Sequence, residues 1–417
     1  MTVYSFTAKM FALHSIFGAL ALSGIAQAEE AQNISDALTK GKAYLDLRYR
    51  YEFVDQDGFA EHANASTLRT RLGYQTGTFK GISGLLEFEN VTAIASGKFN
   101  NTVNGENYYP VVADPKNTEV NQVYLTYKGI NGFTLTGGRQ ALNLDNQRFV
   151  GTVGWRQNDQ AFDALRLVNT PVAGVTLAYT YVWNVNRIFG EDHPLGDLAA
   201  DSHFFNISYD GLQFGKLTVY DYLLGFDNVA VQGLNSNTIG ARFAGSTGLG
   251  EATKLHYALE YANQTDRAGN PGDYSAHYFL GEAGVGFDGL TVKAGYEVLG
   301  SDNGVTAFQT PLATLHKFNG WADKFLTTPV AGLRDFYLTI NYTLMATETI
   351  VDGLKLAAVY HKFEADFGGA KYGSELGLSA SKKIFDHYSL GLKFARYDAD
   401  SYSVDTSKFW LTVGARF

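Results

Sequence analysis

From Lys42 onward the chain alternates between apolar and polar positions. Ala43, Leu45, Leu47, Tyr49, Tyr51 and Phe53 are apolar, while Lys42, Asp46, Arg48, Arg50 and Glu52 between them are charged, with Tyr44 the one interruption. A period of two sends these sets to opposite faces of a strand. The split returns at Val175, Leu177, Tyr179, Tyr181, Trp183 and Val185, and at Leu255, Tyr257, Leu259 and Tyr261. It returns again at Leu290, Val292, Ala294, Tyr296 and Val298, and at Phe336, Leu338, Ile340, Tyr342 and Leu344. No stripe at helical spacing competes with it. Many of the segments run about ten residues, the length a tilted strand needs to cross a bilayer, whereas soluble strands average five or six. Roughly 18 of them tile the chain to its last residue, which predicts an all-β protein.

The connections alternate as well. Short ones carry Asn131-Gly132, Ala173-Gly174, Asp288-Gly289 and Asp352-Gly353, residues suited to the positive φ of tight hairpins. Between them lie long stretches, at about 94–117, 142–158, 187–200 and 300–332. Short turns at one end and long loops at the other suit a barrel whose ends face different compartments; a soluble sandwich has no reason for that asymmetry. In lipid an open sheet edge is costly, so the strands predict a closed transmembrane antiparallel β-barrel, and at 16–18 strands a barrel encloses an aqueous channel.

Composition moves the picture the same way. Gly 45, Tyr 26 and Phe 29 against Pro 7 and Cys 0 is rich in glycine and aromatics, and it leaves neither a disulfide framework nor a thiolate metal site. After the N-terminal segment no apolar run is long enough for a spanning helix. That segment, Lys9 followed by the apolar run Met10–Ala26 and then Ala26-Gln27-Ala28, reads as a signal peptide cleaved after Ala28, against the alternative of a retained anchor. The expected organisation is thus 1–28 signal peptide and 29–417 barrel, in a Gram-negative outer membrane. The formal charge of -9 comes without a polybasic block, so nucleic acid is not an expected partner. The last strand sets Phe409, Leu411, Val413, Ala415 and Phe417 on one face, and terminal Phe417 is the expected contact with the barrel-insertion machinery. Outer-membrane lipid and lipopolysaccharide would surround the barrel.

Four stretches resemble the alginate export family of outer-membrane barrels: LDLRYRYEFVDQDGF from Leu45, STLRTRLGYQTG from Ser66, GRQALNLDNQRFVGTVGWRQNDQAFDALRL from Gly138, and GWADKFL from Gly320. The resemblance implies an 18-stranded monomeric barrel with an arginine-rich lumen. It leaves two cargoes open, small anionic solutes crossing by diffusion, or an acidic polysaccharide such as a polyuronate being exported.

Parity nominates the lumen. Arg48 and Arg50 of the first strand and Arg69 and Arg71 of the second face inward, as an anion-selective pore requires, or else form a ladder with Glu87 and Glu89. Arg139, Arg148, Arg156 and Arg166, inside the longest matching stretch, are candidates for a constriction, since a guanidinium holds a carboxylate bidentately and keeps its charge. Asp145, Asp159 and Asp163 accompany them, so these charges could instead pin an infolded loop to the wall. Lys293, Lys355, Lys393 and Arg416 face inward among Glu297, Asp335 and Glu375. Tyr49, Tyr51, Trp183 and Tyr296 fall on the lipid face, Trp410 on the inner one, and Trp155 and Trp321 in loops. His256 and His361 read as solvated imidazoles. There is no G-x-S-x-G or H-E-x-x-H, and Asp55, Asp57 and Glu61 lack EF-hand spacing, so no catalytic residue, cofactor or metal is assigned.

Overall fold

The computed structural model describes residues 30–250, 252–267, 269–345 and 349–417, and the segment read as a signal peptide lies outside them. Eighteen strands form one sheet. They are β1 (Lys42–Gln56), β2 (Ala63–Gln75), β3 (Ile82–Lys98), β4 (Asn117–Ile130), β5 (Phe133–Gln140) and β6 (Ala161–Asn169). There follow β7 (Val175–Asn186), β8 (Asp197–Leu212), β9 (Gly215–Leu224), β10 (Ser236–Gly248), β11 (Thr253–Asp266) and β12 (Ser275–Phe287). The last are β13 (Leu290–Leu299), β14 (Leu333–Thr343), β15 (Lys355–Glu364), β16 (Lys371–Ile384), β17 (Tyr388–Ala399) and β18 (Thr406–Arg416). Each pairs antiparallel with its sequence neighbours, and β18 pairs with β1 from Asp46↔Arg416 to Gln56↔Thr406, which closes the barrel. Phe417 completes the seam by exchanging backbone hydrogen bonds with Leu45 at 2.9 and 3.0 Å.

Closure follows from where the apolar residues lie. Leu125, Leu259 and Phe336 are 64%, 56% and 50% exposed on the outside, while Arg50, Glu52, Glu89, Glu260 and Glu375 are buried on the inside. That inversion is stable only with hydrocarbon outside. Outward Tyr257, Tyr342 and Tyr388 lie toward the turn end and Tyr261, Tyr296 and Tyr360 toward the loop end, as two interfacial belts.

The turns behave as their residues dictate. Asp288 and Gly289 have φ of 44° and 80°, and a Cβ on Gly289 would come 2.6 Å from the Thr343 carbonyl, so only glycine fits there. A short helix, α1 (Ile34–Thr39), is capped by the Asn33 side chain and tied to the β2–β3 turn through Gly77 N–H to Ala37 O at 2.8 Å.

Two expectations about facing are corrected. Against β6, an extra residue, Trp183, bulges β7 between Val182 and Asn184 and reverses parity beyond it, so Val185 is wholly buried in the interior instead of facing lipid. His361 is not a solvated imidazole: it is buried, with Nδ1 3.0 Å from Asp335.

Candidate functional site

Two long loops occupy the lumen, L3 (141–160, between β5 and β6) and L7 (300–332, between β13 and β14). They meet in a parallel bridge, Val150↔Leu312, where Gly151 N–H donates to the Leu312 carbonyl at 2.9 Å. Apolar anchors seat each loop on the inner wall. Phe149 of L3 packs its ring on Tyr220, Tyr222, Tyr278 and Phe308 at 5.3 to 6.1 Å between centroids. Phe325 of L7 packs on Phe363 at 4.5 Å and on Tyr402 at 5.2 Å. Fully burying an aromatic ring, as at Phe325, contributes about 1.5–3 kcal/mol, and the partly buried Phe149 less.

Charge then fixes the position of both loops. Arg148, from L3, is almost fully buried, donating Nε to Glu297 at 2.7 Å, Nη1 to Thr310 at 3.1 Å and Nη2 to Asn319 at 3.0 Å. Its guanidinium lies 4.8 Å from the Phe318 ring. Asn319 passes the contact on to Glu297 at 2.6 Å and Asp335 at 3.0 Å, so one arginine joins L3, L7 and the β13–β14 wall. Arg156, the next L3 arginine, reaches Glu52 of β1 at 3.0 Å and Asp323 of L7 at 3.4 Å. Burial opposes the charge of both arginines, yet the carboxylates around them raise both above the ordinary guanidinium value.

Asp323 is the hub of the second cluster. It accepts from Lys408 of β18 at 2.8 Å and pairs with His316 at 2.6 Å besides Arg156. Burial alone would raise its pKa, but the hydrogen bond with His316 and the cations Lys408 and Arg156 hold it well below the usual carboxylate range. His316 is pushed well down, by burial first and by Lys393, whose Nζ is 2.6 Å from its Nε2. Lys393 rests against the rings of Trp321 and Trp155 at 3.8 and 4.1 Å, and Trp155 stacks flat on His316 at 4.2 Å.

The arginines of β1 and β2 lie together, as their parity predicts, and register sets Arg48 opposite Arg69. Their partners differ. Arg69 donates to Asp46 at 2.5 Å, and Arg71 pairs with Glu89 and, at 2.7 Å, with Asp159 of L3. Arg48 instead donates to the carbonyls of Gly154 and Arg156 and to Gln157, and Arg50 to the Trp155 carbonyl at 2.6 Å while stacking 4.2 Å over that ring. These two side chains thus hold the L3 backbone, and among the described residues neither has a carboxylate within ion-pair distance.

Arg139 does not join them. It is directly opposite Asp163, at 2.8 Å, on the face that alternates with buried Phe162, Ala164 and Gln140, so it lies on the outer rim beside Asn184 and Asn186. Its expected place at the constriction is corrected by that alternation. Arg166 faces inward next to Thr136 and Thr180 and makes no ion pair among the described residues. The residues that sequence reasoning missed are Phe149, Phe325, Thr310, His316 and Asn319. Phe149 and Phe325 do fall inside the matching stretches, but nothing in an isolated loop sequence states that the loop folds inward.

The fold is that of solved outer-membrane porins. Pseudomonas aeruginosa OccK9 (OpdG) is similar at TM-score 0.71 and 16% identity, over 91% of this chain and 100% of that one. Acinetobacter baumannii OccAB3 matches at 0.70 and 14%, over 91% and 100%. Pseudomonas aeruginosa OpdK, solved with vanillate, matches at 0.69 and 15%, over 91% and 99%. No curated protein sequence matches the chain. The sequence pattern of a family described as alginate export covers residues 42–366, most of the chain, and the protein belongs to the alginate export family.

Proposed function

We propose that the chain is an outer-membrane channel through which small anionic solutes diffuse, with L3 and L7 as its constriction. One observation carries the anionic reading: Arg48 and Arg50 donate to carbonyl oxygens of L3 and form no ion pair among the described residues, so no carboxylate in direct contact cancels their charge. The similarly folded OpdK with its bound vanillate suits a small carboxylate as cargo. Export of an acidic polymer is the second reading, favoured by the family's description. A polymer occupies a constriction along its whole length while moving, whereas two bridged loops suit solutes that pass singly.

The test is the reversal potential across a planar bilayer in a tenfold KCl gradient. Wild type is expected to prefer chloride, and R48Q/R50Q to lose at least about half of that preference. R48K/R50K keeps the charge but loses the planar fork, so it separates the field from the grip on the L3 backbone. Cation preference in wild type would overturn the proposal. Uronate oligomers of increasing length distinguish the readings, since a diffusion channel passes monomers and is blocked by long chains.

Lysines add a pH dependence. Burial, with Arg242 and Lys293 nearby, pushes Lys317 of L7 down to about 8, and burial with Lys408 nearby does the same to Lys324. A lysine lowered in this way is charged at pH 7 and neutral at pH 9. Chloride preference is therefore expected to fall as pH rises through about 8, and K317M/K324M to abolish that step. A wild-type reversal potential that is flat between pH 7 and 9 would refute it.

A further inference from the structure

On the outer face of β14–β17, cations stand at the loop end of the strands. Arg334, Lys362 and Arg396 alternate with the buried residues Leu333, Asp335, His361, Phe363, Ala395 and Tyr397, so all three project outward. Their side chains are 41%, 54% and 43% exposed. Register sets Lys362 opposite lipid-facing Phe336, and Arg396 opposite Leu376. Three spacings of about 4.8 Å separate the outer two strands of the group, so the cations span roughly 15 Å of the rim. Each also touches a carboxylate: Arg334 with Asp366, Lys362 with Glu364, and Arg396 with Asp398 and Asp405. Exposed pairs of this kind contribute little and are screened by salt.

The wall below them is not smooth. An apolar groove of about 510 Å³ runs down the same strands, where small Ala358 and Ala380 lie between larger Ile340, Leu356, Leu378 and Phe394. Phe394 is two residues below Arg396, and Ala358 four residues below Lys362, or roughly 13 Å at 3.3 Å per residue. An anionic head held by the cations would therefore set its hydrocarbon chain into the groove.

We infer that this sector is a docking site for a phosphorylated glycolipid of the outer leaflet, its phosphates on Arg334, Lys362 and Arg396 and one acyl chain in the groove floored by Ala358 and Ala380. The inference rests on the barrel's place in an outer membrane but not on what crosses the lumen. Phosphate is the matching acceptor because guanidinium forks and a snorkelling lysine at the interface bind it strongly.

Native mass spectrometry of the detergent-solubilised barrel tests it, with bis-phosphorylated lipid A and its dephosphorylated form as probes. Wild type is expected to retain the phosphorylated lipid at least about tenfold better, R334A/K362A/R396A to lose that difference, and A358F/A380F to weaken both probes by filling the groove. Equal retention of the two lipids by wild type, or undiminished retention by the triple variant, would overturn the inference, as would a dimer mass that disappears in A358F/A380F. Unchanged single-channel conductance in the triple variant confirms that the barrel is intact. Failure of the channel proposal would appear in conductance alone, leaving lipid retention as it is.

Discussion

Replacing Asp323 with alanine is expected to release L7 from the wall and open the constriction. Asp323 is the carboxylate on which Arg156, His316 and Lys408 converge, and all four side chains are nearly dry. Removing it leaves cations facing one another in a region of low dielectric, and breaking a buried ion pair by deleting one partner costs about 3–5 kcal/mol. A loop closed by that margin is shut more than about 99% of the time; without it the open arrangement becomes a principal state. Single-channel recordings of D323A should show larger conductance and strong open-channel flicker, with protease cleavage inside L7. D323N, which keeps shape and one acceptor, should fall between. Wild-type conductance and noise in D323A would mean that apolar anchors such as Phe325 hold the loop unaided.

The same carboxylate sets the acid limit of the latch. Its folded-state pKa is depressed, so its contribution is fully present above the ordinary value of about 3.9 and is lost only as pH falls through the depressed one. The wild-type latch should therefore persist at pH 4–5, where exposed carboxylates begin to titrate.

Much of this architecture is legible in the chain because lipid enforces a simple rule. Outward positions within the hydrocarbon layer must be apolar, so a period of two is written plainly into β1, β11, β13 and β14, and Asp288-Gly289 marks a turn because Asp-Gly, like Asn-Gly, adopts two positive φ angles easily. The rule fails where the backbone departs from it. The bulge after Val182 carries no residue signature, so Val185 is misassigned to lipid, and the alternation that places Arg139 outside depends on knowing that Gln140 and Phe162 are opposed within the wall. The site is less legible for a different reason. Arg148 and Glu297 are 149 residues apart, and Arg156 and Asp323 167 apart; such pairs exist only because L3 and L7 turn inward, and no local periodicity records the direction of a loop. Arginine content correctly points to a charged lumen, yet whether each guanidinium meets a carboxylate or a carbonyl is decided by loop backbone that the strand pattern does not describe.

Arg148 provides the sharpest test of whether L3 and L7 behave as one unit. Its three donating nitrogens point in three directions, to Glu297, Thr310 and Asn319, and Tyr278 O–H adds a third bond to Glu297 at 2.6 Å, beside those from Arg148 and Asn319. R148A should lose about 3–5 kcal/mol of loop docking, because it leaves Glu297 buried without its cation, and R148K, which keeps the charge but not the fork, should fall between it and wild type. E297Q should lose somewhat less, because the amide still accepts from Tyr278 and Arg148. R148M/E297M removes both charges and leaves apolar volume, and replacing a buried pair together is frequently neutral. Hydrogen exchange of the L3 and L7 amides reads the docking energy directly, and wild type, R148M, E297M and R148M/E297M form a double-mutant cycle whose coupling should exceed about 1.5 kcal/mol. If the double variant is as exposed as the sum of the singles, the pair acts only by filling space, and the loops are joined by the Val150–Leu312 bridge and their aromatic anchors instead.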